Sequence, residues 1–269
     1  MLQFGLFVIF DDEGYVYISS KRFDRNYFII SNKEVYADYF ELKVYADDNI
    51  IQCCLPGQFF MVAIPGVFLR RPLSVHNIEK NVLSFLYKVV GKGTEILSRT
   101  HLDTIQLLGP LGKGYSGLEI YKNLNYIIVA GGTGIASLYF LATKLGKKGT
   151  LYYGVRSKKD LVCFDKFKKM RWKVIVSTED GSEGYKGYVT DLLSNSFESN
   201  SMLFACGPML MLKKVLKIAK EKDIRGFVSL EEKMACGLGN CQCCAIKMNG
   251  QNKMMCKDGP VFKIEEVEL

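Results

Sequence analysis

The chain has 269 residues, 48% apolar and 24% charged, with a net charge of +8 at pH 7. That is globular composition, long enough for two or three domains with a sizeable core. The lysines are scattered, and no basic stripe with interleaved aromatics argues for nucleic acid, so the mild positive charge suits an acidic partner or an anionic cofactor instead.

In chain order, MLQFGLFVIF lacks a basic start and runs into Asp11-Asp12-Glu13, so it is neither signal peptide nor membrane span. No apolar run reaches the ~18 residues a span needs. A cytoplasmic protein is expected, and its nine cysteines are then thiols or ligands rather than a disulfide framework. Residues 1–25 are read as an N-terminal extension without an evident role.

Residues 26–118 predict an all-β module, a barrel or sandwich. YFELKVYA, QFFMVAI, VLSFLYKVV and DTIQLLG are rich in β-branched and aromatic residues, with LPG, IPG, GKG and GPLGKG between them. Within it, RRPLS stands at a strand start. A proline beside Arg71 restrains the guanidinium, Ser74 offers a hydrogen bond to a heterocycle, and Gly93-Thr94 offers donors to a pyrophosphate. Arg-Pro is equally a common strand-edge pair.

Residues 119–225 change pattern. LNYIIVA is a continuous apolar run, as in a strand buried on both faces. GGTG and a helical segment follow, then strands TLYYGV, WKVIVST and SMLFACG alternate with helices, which predicts a parallel α/β sheet. Glycines between a buried strand and a helix let backbone N–H groups approach a phosphate. They also serve any close strand–helix turn, and Ser137 stands where the dinucleotide fingerprint wants Gly or Ala. Arg156, Ser157, Lys158 and Lys159 replace the acidic residue expected after the second strand, a pattern that leaves both NAD and NADP open.

Residues 226–269 are rich in Cys and Gly. Cys236, Cys241 and Cys244 have C-x4-C-x2-C spacing, and Cys256 follows after eleven intervening residues. The first three match the plant-type [2Fe–2S] pattern, and Gly237 and Gly239 let a loop curl around a cluster. A zinc site wants paired C-x2-C knuckles, and a redox C-x-x-C wants a strand-to-helix context, so both alternatives fit less well. Cys243 is expected to point away from the cluster.

Taken together, RPLS, GKGT, GPLGKGY, AGGTGIA, YGVRS, EDGSEGYKGYVTDLL, ACGPMLMLK, EEKMACGLGNCQCC and CKDGPVF resemble the electron-transfer (iron–sulfur/FAD) subunits of bacterial NAD-linked dihydroorotate dehydrogenases, within the ferredoxin–NADP reductase superfamily. The resemblance begins near residue 29. It implies an antiparallel β-barrel FAD domain (26–118), a Rossmann-like parallel-sheet NAD(P) domain (119–225) and a small [2Fe–2S] domain (226–269).

For the FAD it implies Arg71, Pro72, Leu73 and Ser74, with Tyr87, Lys88 and Val89 on the next strand and Gly93 and Thr94 at the pyrophosphate turn. For the nicotinamide nucleotide it implies Gly131, Gly132, Thr133 and Gly134 with Cys206, Gly207 and Pro208. Cys206 ends the strand SMLFACG at the carboxyl edge of the predicted sheet, where ligands bind, which makes it a candidate to flank the nicotinamide, a buried small thiol being the plainer alternative. Cys236, Cys241, Cys244 and Cys256 are then the cluster ligands.

The implied function is an oxidoreductase subunit passing electrons between NAD(H), FAD and the cluster to or from the FMN of a dihydroorotate dehydrogenase catalytic subunit in pyrimidine biosynthesis, in a heterotetramer of two of each. Hydride transfer needs no acid–base pair, consistent with only two histidines. His76, close behind the flavin motif, is tempting as a proton donor, and a packed or solvated role is the plainer expectation. The runner-up is a flavin/iron–sulfur reductase subunit of a hydrogenase, sulfite reductase or ferredoxin-dependent complex.

Overall fold

A computed structural model describes residues 8–10, 16–18, 21–118, 124–146, 149–193, 196–198 and 200–268. Most of the expected extension 1–25 lies outside these. Within it, β1 (Val8–Phe10) and β2 (Val16–Ile18) pair antiparallel. The extension was expected to reach Arg25, but β3 (Phe23–Tyr36) already opens the barrel sheet at Phe23, paired with Gly109.

The first large sheet has seven antiparallel strands. It contains β3, β4 (Tyr39–Tyr45), β5 (Phe59–Val62), β6 (Arg71–Ser74), β7 (Asn77–Glu79), β8 (Val82–Lys88) and β9 (Thr104–Leu111), in the order β6-β5-β9-β3-β4-β8-β7. Two short helices interrupt it: α1 (Asp48–Cys53) and α2 (Lys92–Ser98). Asp47 caps α1 by accepting the Ile50 N–H at 3.2 Å. The strand β3 pairs with β9 through its first half and with β4 through its second, so one 14-residue strand bends the sheet into a half-barrel. Alternate residues of β4 and β9 point inward and meet Tyr27, Phe60 and Phe85 in a dry core. Phe60 meets both other rings edge-on, each such pair worth about 1 kcal/mol beyond burial.

The second sheet begins with β10 (Asn125–Gly131), buried along almost its whole length. A single 3-10 turn over Gly132–Gly134 leads into α3 (Ile135–Leu145). Then follow β11 (Gly149–Val155), α4 (Phe164–Lys169), β12 (Lys173–Thr178), β13 (Tyr185–Lys186), β14 (Ser201–Cys206), α5 (Met209–Glu221) and β15 (Gly226–Ser229). In α5 the buried Leu212, Val215, Leu216 and Ala219 lie at helical spacing, with lysines between them. α3 is covered more widely: its Phe140 enters the half-barrel core while its neighbours face the sheet.

The cysteine-rich tail adds β16 (Ala245–Met248), β17 (Gln251–Met254) and β18 (Val261–Lys263). The sheet order is β13-β12-β11-β10-β14-β15-β18, parallel except for β18. A module boundary at residue 226 therefore runs through the sheet: β15 pairs with β14, and the tail returns to pair with β15. Leu230 N–H donates to Pro260 O at 2.9 Å and continues that zipper. One apolar core runs through all three modules, joining Met61 and Leu111 of the half-barrel to Val129 and Leu203 of the second sheet and to Cys244, Met255 and Phe262 of the tail.

Candidate redox site

Three patches of chemistry adjoin one another. The first is a cleft of about 330 Å³ between the half-barrel and the second sheet. One wall is β6, an edge strand, where Pro72 costs the sheet no hydrogen bond to a neighbour. Arg71, Pro72, Leu73 and Ser74 all line the cleft, as do Tyr87, Lys88 and Thr94. Arg71 is steadied by a 2.6 Å hydrogen bond from Nη1 to Leu69 O. Gly93 lies directly under it: a Cβ there would sit 2.7 Å from Arg71 Nε.

Thr94 turns its hydroxyl inward. Oγ1 accepts from Val90 N–H at 3.0 Å and donates to Gly91 O at 3.0 Å, shaping the turn, while the first amides of α2 have no acceptor within the helix. Lys88 is held by Asp160 at 3.1 Å. Val89 faces the barrel core instead, its N–H bonded to Asp38 O.

The opposite wall comes from the carboxyl edge of the second sheet. Its order reverses around β10, flanked by β11 and β14, and such a switch point opens a crevice for ligands. The Gly131–Gly134 turn and Cys206-Gly207-Pro208 are packed together there. A Cβ on Gly134 would stand 2.3 Å from Cys206 O, and one on Gly131 would stand 2.7 Å from Pro208 Cδ. Thr133, Ala136 and Ser137 reach the cleft from this turn.

Sequence reasoning missed Ser229, Leu230, Glu231, Glu232 and Met234, which complete this wall. Ligands bind at the carboxyl edge of such a sheet, and this applies to the residues after β15 as much as to Cys206 at the end of β14. In the sequence, β15 reads as part of the cysteine-rich tail rather than as a strand of the nucleotide sheet. Glu231 is open to the cleft yet closely surrounded by protein, and desolvation raises its carboxyl above the usual range. Its Oε1 lies 3.9 Å from Cys206 Sγ, whose thiol burial pushes up to about 12. Both neighbours are thus biased to their neutral forms.

The third patch is the cysteine loop. Gly237 (φ +70) and Gly239 (φ +84) adopt left-handed backbone that turns amides toward sulfur. Leu238 N–H donates to Cys236 Sγ at 3.3 Å and Gly239 N–H to Cys256 Sγ at 3.1 Å. Burial works to raise the Cys236 thiol, but backbone N–H groups of Cys241, Leu238 and Asn240 outweigh it and bring it down to about 6. Cys244 and Cys256 are buried with sulfurs 3.3 Å apart, while Cys241 is exposed. Cys243 is also exposed, and no helix follows Cys241 and Cys244 as a thioredoxin-like pair would require.

Among the described residues no three His, Cys, Asp or Glu side chains gather as holders of a single metal ion. A zinc knuckle needs four around one ion. A two-iron cluster asks only two thiolates of each iron, with sulfide between the irons, and it needs N–H donors around the sulfurs. The loop fits the cluster. It also touches the half-barrel: a Cβ on Gly237 would lie 2.6 Å from Met61 Cγ, and Met61 is paired with Pro72.

His76 lies behind the cleft, fully buried, with Nδ1 2.8 Å from Ala136 O and Nε2 3.2 Å from Lys166 Nζ. It is packed, not poised to donate a proton to the cleft. Burial first, and then the Lys166 charge, lower its pKa from 6.5 to about 4. Between those values the unfolded chain binds more protons than the folded one. Stability is therefore complete above 6.5 and falls as the pH drops toward 4, by roughly 3 kcal/mol in full. Glu41, which also touches Lys166, adds to the loss at lower pH. Burial works to raise its carboxyl, but Lys43 and Lys166 hold it below its usual 4.5. Urea midpoints measured from pH 7 to 4 are expected to fall, and His76→Asn to flatten most of that fall.

Residues 231–268 match the iron–sulfur cluster binding domain of dihydroorotate dehydrogenase B, and residues 128–217 match the oxidoreductase NAD-binding domain. The chain is 40% identical over 229 residues to the dihydroorotate dehydrogenase B (NAD(+)) electron transfer subunit of Desulforamulus reducens, covering 80% of this chain and 87% of that protein. The subunit of the same description from Bacillus cereus is 35% identical over 258 residues, covering 91% and 98%. The chain belongs to the dihydroorotate dehydrogenase B electron transfer subunit family.

Solved structures share the fold. A chain from an NADH-dependent reduced ferredoxin–NADP oxidoreductase, described for flavin-based electron bifurcation, aligns with TM-score 0.78 at 32% identity over 90% of this chain and 89% of that one. A ferredoxin–NADP+ reductase from Neisseria gonorrhoeae shares the fold, with TM-score 0.60 at 15% identity over 74% and 91%. For an electron transfer subunit of this family, the half-barrel, the second sheet and the cysteine loop are the expected three parts. Among the described residues no helix is long and apolar enough to cross a membrane.

Proposed function

We propose that this chain is the electron-transfer component of an NAD-linked dihydroorotate dehydrogenase, working between NAD(H) and the FMN of a separate catalytic subunit, with two copies of each in the complex. One observation carries the reading: Met61 of β5 touches the cysteine loop through Gly237 and pairs with Pro72 of the cleft wall. Cleft wall and cysteine loop are thereby contiguous, and the nucleotide turn joins them through Met211, which packs on the same apolar core.

In this reading the FAD takes the cleft. Arg71 faces its pyrophosphate together with the amides of Gly93 and Thr94, Ser74 faces the isoalloxazine, and Tyr87 and Lys88 line its length. Val89 supports from the core side. Gly131, Gly132, Thr133 and Gly134 with Cys206, Gly207 and Pro208 receive the nicotinamide nucleotide, and Cys236, Cys241, Cys244 and Cys256 hold the [2Fe–2S] cluster. The bound FAD supplies conversion between two-electron hydride chemistry and the one-electron chemistry of the cluster.

The chain's own residues position and shield. Phe59, Leu86, Leu230 and Pro260 give the cleft apolar walls that exclude water. The neutral Cys206 thiol places no charge where the nicotinamide ring would lie, and hydride transfer asks no proton of it or of Glu231. A reducing cytoplasm belongs to the same proposal and is supported by the five cysteines outside the ligand set, Cys53, Cys54, Cys163, Cys206 and Cys243, which form no disulfide.

Chain purified anaerobically is expected to carry FAD and iron, the iron near two per flavin, and to be bleached by NADH. A colourless protein with zinc and no flavin would overturn the reading. Co-purification decides the partner. The likeness to the ferredoxin–NADP oxidoreductase chain favours a ferredoxin-dependent complex as the second reading. Capture of an FMN-containing dihydroorotate dehydrogenase subunit selects the first.

A further inference from the structure

The function proposed above leaves His76 without a task. It is fully buried, and its surroundings are polar and organised. Its backbone N–H donates to Ser84 O at 2.8 Å, which fixes the residue against β8. Its ring stacks on Tyr139 with centroids 4.9 Å apart and an angle of 26°. Because a carbonyl only accepts, the 2.8 Å contact with Ala136 O puts the proton on Nδ1. Nε2 is then bare and accepts from Lys166 Nζ at 3.2 Å, with Cys163 Sγ at 3.8 Å. Lys166 continues to Glu41 at 3.4 Å, and Lys43 closes on Glu41 at 2.9 Å.

The two ends of this arrangement belong to opposite walls of the cleft. His76 follows Ser74 by two residues, and Ser74 lines the wall built from β6. Ala136 stands in the first turn of α3, directly after the Gly131–Gly134 turn, and lines the other wall. A flat, buried ring held on both edges is a spacer of fixed length. A glutamine or lysine side chain would reach the same carbonyl with one or two more rotatable bonds.

We propose that His76 is a positioning residue that sets the distance between flavin strand and nucleotide turn by gripping the Ala136 carbonyl through Nδ1–H. This rests on the assignment of FAD and nicotinamide nucleotide to the cleft walls. Its effect falls on hydride transfer, which is steep in distance and angle, rather than on the amount of cofactor bound.

The test compares His76→Leu, which keeps bulk without the N–H, with His76→Asn, whose amide N–H lies where Nδ1–H was. Flavin reduction by NADH is followed by anaerobic stopped flow, together with the long-wavelength charge-transfer absorbance between nicotinamide and flavin. His76→Leu is expected to slow reduction by about 10–100-fold and weaken that absorbance at unchanged FAD and iron content. His76→Asn is expected to recover most of both. Wild-type rates in His76→Leu, or His76→Asn as slow as His76→Leu, would overturn the role.

The ring tautomer, read by ¹⁵N NMR on the unmutated chain, does not depend on either variant folding. Protonation at Nδ1 alone at pH 7 supports the role, and a proton on Nε2 overturns it. A wild-type chain that binds FAD but does not reduce it with NADH would instead remove the functional reading, and this role with it.

Discussion

Cys256→Ser is expected to strip the chain of iron while leaving its flavin in place. Cys256 is buried, accepts the Gly239 N–H, and has its sulfur 3.3 Å from that of Cys244. A serine hydroxyl is a harder oxygen ligand that must lose a far less acidic proton than a thiol, so it holds iron much less well than a thiolate does. Reduction of FAD by NADH should continue near the wild-type rate, since its residues lie on the cleft walls. Dihydroorotate-driven NADH formation by the reconstituted complex should fall about a hundredfold or more, because loss even of supporting groups around a metal costs 10–100-fold. Visible absorbance, iron content and both half-reactions read the result. Cys243→Ser is the control: that thiol is exposed, and its loss should change none of these. Iron loss in the control and not in Cys256→Ser would falsify the ligand set.

Gly134→Ala should cost nucleotide use and stability together. Its added Cβ would stand 2.3 Å from Cys206 O and 2.6 Å from the carbonyl carbon, both backbone atoms that no rotamer change can move away. The turn and β14 must separate, at the upper end of overpacking penalties, about 3 kcal/mol. The same separation spoils the surface where the nicotinamide nucleotide is assigned, so the KM for NADH should rise about tenfold or more. FAD content should survive, because the Arg71–Ser74 wall is untouched. Gly132→Ala is the comparison: nothing lies within 4 Å of its Cβ, and only its φ of +51 opposes the change. That costs about 1 kcal/mol and leaves NADH use largely intact. Equal losses in the two variants would mean that backbone conformation, not the Cys206 contact, is what matters at this turn.

Much of the site was legible because its signals are local. A cysteine ladder with glycines, a glycine turn after a wholly apolar strand, and an Arg-Pro pair on an edge strand each carry their chemistry within a few residues. The strands β4, β5, β8 and β9 also announced themselves by composition. What escaped depended on distant partners. Half-exposed along most of its length, β3 shows no clean alternation, although it holds the half-barrel together. The glycines of GKGTEILS signalled a turn and hid α2. Glu231 escaped because β15 pairs with β14 on one side and, on the other, with a strand about thirty residues later, as in Ser229↔Val261, while its own sequence reads as part of the cysteine-rich tail. The environment of His76 is built by residues 60, 87 and 90 positions away, and no spacing rule reports such contacts.

The pairing of β18 with β15 bears on how electrons leave the molecule. Many redox chains carry their terminal centre on a tethered head that swings between donor and acceptor. Here the segment after the last cysteine is stitched into the edge of the nucleotide sheet, and the loop itself rests on Met61. The gap from flavin cleft to cysteine loop is therefore set by the core and not by a linker. Electron hopping across it should be indifferent to solvent viscosity, which leaves the coming and going of the nicotinamide nucleotide as the diffusive step within the assembled complex.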